Sequence, residues 1–264
     1  MRNHAGKTEI NGKKINYFIC NEEFLTDEKP VLVFLHEGLG SIRQWKDFPA
    51  ALSDKTELAV LLYDRYGYGD SDSLTEKRNT GYINLEASLY LPELLKNLNI
   101  RNKIILFGHS DGATIALYFA SLFPEITLGI ISESAHTFIE DVSMDGVSAA
   151  RDSFIFGDSL RQKLEKYHRD NTIPMFFGWA DLWSNPTAKK WNMFKELKNV
   201  KSPVLVIQGD TDEYGSKKQV DEIKKRVSAD CEILYLKDCG HIPHFQAKDS
   251  VLQKSTDFIN KLLL

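Results

Sequence analysis

Six short apolar runs recur along the chain: residues 31–35 (VLVFL), 58–63 (LAVLLY), 104–107 (IILF), 128–131 (LGII), 204–207 (VLVI) and 233–236 (ILYL). They are nearly continuous rather than alternating, the pattern of strands buried on both faces between layers of helix. Helical spacing fills most of the text between them. Residues 82–98 set Leu85, Leu89, Leu91, Leu94, Leu95 and Leu98 three and four apart, and 112–122 is apolar on nearly every side, as suits a helix lying on a sheet centre. Residues 215–227 place Val220, Ile223 and Val227 among Lys, Asp and Glu, which reads as a helix with one solvated face. Ahead of all these, 8–10 and 14–20 flank Asn11-Gly12, a two-residue hairpin signal. Together they predict an α/β protein: a mostly parallel twisted sheet of about eight strands, flanked by helices, with an antiparallel N-terminal hairpin.

One stretch breaks the rhythm. Residues 135–200 carry no strand-like run and are rich in aromatics, including Phe154, Phe156, Phe176, Phe177, Trp179, Trp183 and Trp191. A segment this long and apolar is no linker, so it reads as a helical cap inserted between two core strands. The expected division is a core of 1–134 and 201–264 with a cap of 135–200.

Composition narrows the function without naming it. Apolar residues make up 42% and charged residues 27%, with 33 Lys+Arg against 37 Asp+Glu for a net charge of −4. Charge of mixed sign gives no footprint for nucleic acid or an anionic membrane, so the expected partner is a small-molecule substrate. No apolar stretch approaches the roughly 18 residues of a membrane span. The first residues, MRNHAGKTEING, lack the apolar centre of a signal peptide, so the expected location is cytoplasmic. Cys20, Cys231 and Cys239 are odd in number and dispersed, the pattern of buried thiols rather than of disulfides or a zinc site. No Walker loop, H-E-x-x-H or dinucleotide glycine pattern occurs, so no cofactor and no metal are expected.

The strongest chemical motif is Gly108-His109-Ser110-Asp111-Gly112, between the run at 104–107 and the apolar helix. In that setting G-x-S-x-G is a nucleophile elbow, a turn so tight that only glycine fits two residues either side of the serine. It presents the Ser110 hydroxyl at a helix N-terminus, where a developing negative charge is favoured. A serine hydroxyl needs a base, itself oriented by a third group. Of seven histidines, His4 falls in an N-terminus expected to be loose, His168 in a charged stretch expected to be solvated, and His109 in the elbow itself. His36 reads as support for the loop after it, and His136 opens the insertion. His241 and His244 remain, just past the last apolar run. His241 is preferred because Gly240 frees the backbone to aim the ring, with His244 as runner-up. The loop after 204–207 offers three carboxylates for the orienting acid, Asp210, Asp212 and Glu213.

With these motifs the chain resembles the α/β-hydrolase fold superfamily, in its serine-nucleophile, carboxylesterase-like branch with a helical cap. The family order of nucleophile, acid and histidine becomes Ser110, Asp212 and His241; its acid commonly stands three residues after the glycine that ends the strand, which is Gly209 here. A minority of relatives take the acid one strand earlier, where Glu133 is nearest. His36-Glu37-Gly38-Leu39-Gly40 is similar to the family's H-G-x-x-G oxyanion loop, which implies that the amides of Gly38 and Asp111 bind the oxyanion. Glu37 departs from that pattern, since glycine is usual there. A carboxylate in the hole would repel the oxyanion, so Glu37 is expected to point away, toward Arg43 or Arg65. Asp64-Arg65-Tyr66-Gly67-Tyr68-Gly69 is similar to a structural turn of the family packing behind the elbow.

The resemblance implies a serine hydrolase that cleaves small to medium carboxylic esters through an acyl-enzyme. His241 serves as base and then acid, and Asp212 fixes its tautomer. Glu37, His136, Phe176, Trp179 and Trp183 are the candidate substrate-pocket residues. The alternatives are a carbon–carbon bond hydrolase of the same fold, or a ligand-sensing relative with little turnover.

Overall fold

The computed structural model describes residues 2–264. Eight strands form one sheet: β1 (His4–Ile10), β2 (Lys13–Cys20), β3 (Val31–Leu35), β4 (Val60–Tyr63), β5 (Ile104–His109), β6 (Thr127–Glu133), β7 (Val204–Gly209) and β8 (Cys231–Leu236). Their order across the sheet is β1-β2-β4-β3-β5-β6-β7-β8. β3 to β8 run parallel, while β1 and β2 form an antiparallel hairpin that joins β4 at the edge. The Asn11-Gly12 signal thus marks a real turn, with both residues at positive φ. His4 is the first residue of β1, so the expectation of a loose segment there was wrong.

Burial follows position in the sheet. β3, β5 and β7 are buried at every residue, whereas the edge strands β1 and β8 keep exposed positions. On β3, Val31, Val33 and Leu35 face one apolar cluster while Leu32 and Phe34 face the other, as the period of two requires. In the second cluster Phe34 stacks on Phe107 with centroids 4.8 Å apart, and Trp45 and Phe48 meet them edge-on. The first cluster runs across the apolar helix Asp111–Leu122 and into the 135–200 segment through Phe154, Met175, Phe176 and Trp179.

The leucine-rich stretch at 82–98 is less regular than its spacing implied. Tyr82–Leu85 and Leu91–Asn97 are α-helical, but Glu86–Tyr90 is a π turn. The wider turn shifts the apolar stripe, so Leu85 is 44% exposed while Ile83, Ala87 and Tyr90 are buried. The carboxyl of Glu86, drawn inside by the same turn, is raised to about 7 by burial against the pull of Arg65.

Residues 135–200 contain the helices Asp141–Phe156, Asp158–His168, Thr172–Trp183 and Phe194–Leu197. Gln219 ties the segment's start to the core, accepting from the Thr137 amide at 2.8 Å and donating to the Phe138 carbonyl at 3.0 Å. His168 corrects the sequence expectation of a solvated ring, being fully buried. Its Nδ1 accepts the Gly69 amide at 3.0 Å, and its Nε2–H reaches the Leu39 carbonyl at 2.9 Å. Beside it, Asn171 donates to the carbonyls of Gly69 and Ser71. The glycine turn at 64–71 therefore packs against residues 168–171 of this segment. Its shape is set by Asp64, whose carboxylate accepts from the Ile42 and Asp70 amides and from Asn16.

Cys20 and Cys239 are buried free thiols, whereas Cys231 is only partly covered. Among the described residues, no helix is long and apolar enough to cross a membrane.

Candidate active site

In doubly wound sheets, ligands bind beyond the carboxyl ends of the parallel strands. Ser110, Asp212 and His241 follow the ends of β5, β7 and β8 there. Ser110 has φ 53° and ψ −116°, a backbone conformation that side chains seldom adopt. Its amide donates to the Glu133 carbonyl at 2.8 Å, and its carbonyl accepts from Thr114, starting the helix. The flanking glycines are sterically required. A Cβ at Gly108 would lie 2.3 Å from the Gly112 carbonyl oxygen, and one at Gly112 only 1.9 Å from that of Leu35.

His241 and Asp212 are in direct contact: Nδ1 lies 2.8 and 2.9 Å from the two carboxylate oxygens. The carboxylate also accepts from Gln208 Nε2 at 2.7 Å and from the Tyr214 amide at 2.8 Å, so both oxygens are held. Burial would raise the Asp212 carboxyl, but the His241 ring beside it holds it below the usual range. Burial likewise opposes a charged His241, yet Asp212, then Glu37 and Glu213, hold that imidazole above its ordinary value. Gly240 serves this loop through space rather than freedom, since a Cβ there would press on Gln246 and Glu213. The tighter glycine is Gly209, where a Cβ would lie 2.1 Å from the Cys239 carbonyl oxygen.

The two runners-up from the sequence found each other. His244 Nδ1 lies 2.5 Å from Glu133 Oε1, a second buried carboxylate–imidazole pair beside the first. His109 bridges the region: its Nε2–H points at the His241 main-chain carbonyl at 2.7 Å, and burial pushes its imidazole down to about 3. Two clusters could offer metal ligands, Glu37–His109–His241 and His109–Glu133–His244. One ring nitrogen of each histidine is already engaged, His109 Nε2 by the His241 carbonyl, His241 Nδ1 by Asp212 and His244 Nδ1 by Glu133.

Glu37 does not go where the sequence suggested. Arg65 reaches its carbonyl oxygen at 2.6 Å rather than its carboxylate, and Arg43 binds the Lys166 carbonyl and the face of Tyr167. The Glu37 carboxylate instead lies within 4.8 Å of ring nitrogens of both His109 and His241. Burial raises its carboxyl while His241 and His244 pull the other way. It borders a groove of about 570 Å³ that also has His241, Glu213, Tyr167 and Phe245 among its walls.

Ser110 itself opens on a smaller cavity of about 40 Å³, which His241, Asp111, His136, Trp179 and Trp183 also line. Of the five expected pocket residues, His136 and the two tryptophans are therefore at the serine and Glu37 lies in the neighbouring groove. Phe176 is fully buried, stacked on Phe154 with centroids 3.7 Å apart. Gly38 stands under Trp179: a Cβ there would lie 2.3 Å from the indole nitrogen and 3.2 Å from Asp111 Oδ2. The Asp111 amide belongs to the first turn of its helix, whose N–H groups have no intrahelical acceptor.

Sequence reasoning missed the polar network under this cavity. The Asp111 carboxylate accepts from the Tyr82 hydroxyl, which in turn accepts from Trp183 Nε1 at 3.3 Å. Arg65, wholly buried, approaches Asp111 Oδ2 at 3.6 Å, and His136 Nε2 approaches Oδ1 at 3.7 Å. Tyr82 sits in a leucine-rich helical pattern and Arg65 in a glycine turn, and nothing in either context signals that they meet.

A family model described as the alpha/beta hydrolase fold matches residues 30–192. Among curated proteins, 2-succinyl-6-hydroxy-2,4-cyclohexadiene-1-carboxylate synthase of Enterobacter sp. (strain 638) is 31% identical over 150 residues, 57% of this chain. The chain spans about half of that relative, 52% of its length. Proline iminopeptidase of Saccharolobus solfataricus is 22% identical over 269 residues, covering 88% of this chain and 85% of its own. Among solved structures, the enol-lactonase from Burkholderia xenovorans LB400 superposes with a TM-score of 0.74 at 20% identity, over 97% of this chain and 100% of its own. At that identity the likeness speaks for the fold alone. The sheet order, the strained serine between two sterically required glycines and the family match agree, and the chain belongs to the α/β hydrolase fold family.

Proposed function

We propose that this protein is a serine hydrolase acting on small carboxylic esters through an acyl-enzyme, with Ser110 as nucleophile, His241 as general base and acid, and Asp212 as the orienting carboxylate. The observation that carries the reading is the Asp212-held imidazole of His241 sharing one cavity with a serine at the tip of a strained elbow. Because Nδ1–H is committed to Asp212, Nε2 is the nitrogen free to take the serine proton. The imidazolium formed as Ser110 attacks is stabilised by the same carboxylate. The amides of Gly38 and Asp111 receive the oxyanion, a role worth on the order of 10²–10³ in rate per donor. His241 then hands the proton to the leaving alcohol and activates water for deacylation. In this reading residues 135–200 act as the cap, with Trp179 and Trp183 roofing the acyl group. The serine at the elbow favours ester chemistry over the branches that use aspartate there.

The test is turnover of short p-nitrophenyl esters by the wild type and by Ser110→Ala, with mass mapping of a serine-directed phosphonate. Turnover lost in Ser110→Ala and phosphonate on Ser110 support the reading. Absence of turnover over a broad ester panel, with tight ligand-dependent stabilisation, would replace it by the ligand-sensing alternative.

A further inference from the structure

The cavity at Ser110 has room for roughly three water-sized groups, which already restricts what it can take. His241, the group that protonates the leaving alcohol in this reading, also lines the larger groove, so the leaving group is assigned to that side. That leaves the 40 Å³ cavity for the acyl part. Its apolar walls are Trp179, Trp183, Ile139 and Val147, but three polar groups also face it. Ser134 Oγ and His136 Nε2 are buried without a hydrogen-bond partner among the described residues. Ser134 is 3% exposed, so its hydroxyl is shut off from solvent. The Asp111 carboxylate, 1% exposed, completes the set.

The separation of these groups is informative. His136 Nε2 and Asp111 Oδ1 stand 3.7 Å apart, beyond a direct hydrogen bond. An oxygen placed beside them can lie within about 2.8 Å of both. The group that satisfies both at once is a hydroxyl, which donates to the carboxylate and accepts from the imidazole N–H. A substrate carboxylate could only accept and would face Asp111, and a plain alkyl chain would leave Ser134 Oγ and His136 Nε2 unpaired.

Building on the ester-hydrolase reading above, we infer that the acyl group of the substrate is short and bears a hydroxyl, recognised between His136 and Asp111 with Ser134 Oγ beside it. Sites built to bind a buried hydroxyl discriminate strongly against the analogue that lacks it, because their own polar groups are then stranded.

The experiment compares kcat/KM for ethyl lactate against ethyl propionate and ethyl 3-hydroxybutyrate against ethyl butyrate, with ethyl octanoate as the long-chain probe, by indicator-monitored acid release. At least one hydroxyacyl ester is expected to exceed its plain partner by about tenfold or more, and the octanoate to be the poorest substrate. In His136→Phe, and in Ser134→Ala should the former fail to fold, that ratio is expected to fall toward one. Equal rates for both members of each pair, or octanoate as the best substrate, would overturn the inference while leaving the ester-hydrolase reading intact. Failure of every ester, with Ser110 unlabelled by phosphonate, would overturn both.

Discussion

His109 donates its Nε2–H to the main-chain carbonyl of His241 at 2.7 Å. A carbonyl only accepts, so the bond fixes the proton on that nitrogen of His109. The residue just before the nucleophile thereby holds the loop carrying the candidate base, and the elbow and that loop are registered by one buried contact.

Removing that contact is expected to damage positioning more than binding. His109→Leu should lower kcat on the order of 10² with a much smaller change in KM, since displacements near 1 Å cost about that much. Steady-state kinetics on a short ester, with circular dichroism to verify folding, checks this. An unchanged kcat in a folded variant would rule out the positioning role.

Glu37 tests the electrostatics of the candidate base. Its carboxylate helps hold the His241 imidazole above the ordinary value of 6.5. A base must be neutral to act, so kcat/KM should climb with pH through a midpoint above 6.5 and level off once His241 is deprotonated. Glu37→Gln removes one of the charges that stabilise the imidazolium, so the midpoint should move to lower pH and the rate at pH 6 should gain on the rate at pH 8. A profile that stays in place would mean that the carboxylate has no influence on the site.

The elbow makes a steric prediction. Gly112→Ala puts a methyl 1.9 Å from the Leu35 carbonyl oxygen, which belongs to a central strand and cannot yield. The cost should lie at or beyond the upper end of the roughly 1–3 kcal/mol typical of overpacking. Urea denaturation reads it directly; a variant as stable as the wild type would contradict the packing described for β3 and β5.

Acid should loosen the fold through its buried neutral histidines. Burial lowers the imidazole of His168 to about 4 and that of His109 to about 3, and lowers those of His36 and His136 as well. The unfolded chain takes up these protons near 6.5, so their contribution is whole above that pH and is lost as pH falls toward the folded values. For His168 alone the loss between 6.5 and about 4 amounts to on the order of 3 kcal/mol. Tm measured from pH 8 to 4 should drop below pH 6.5, and His168→Gln should flatten that slope. Parallel curves for the two proteins would show that the ring carries no such linkage.

What the sequence determined by itself was set by local rules. Continuous apolar runs meant strands buried on both faces, Asn11-Gly12 meant a tight hairpin, and two glycines around Ser110 meant a turn with no room for a side chain. Those signals depend on neighbours within a few positions, so they survive without knowledge of the fold. The triad candidates were legible for the same reason, each lying just past a strand run. Only the tertiary structure decided the pairings. His241 met Asp212 and His244 met Glu133 because the carboxyl ends of β6, β7 and β8 lie side by side in the sheet, which no spacing encodes. The π turn that exposed Leu85, the burial of His168 against the glycine turn, and the meeting of Tyr82, Arg65 and His136 on Asp111 all arise from packing between distant segments. Side-chain direction and long-range proximity are settled by close packing of the whole interior, and a one-dimensional pattern of apolar and polar positions does not contain them.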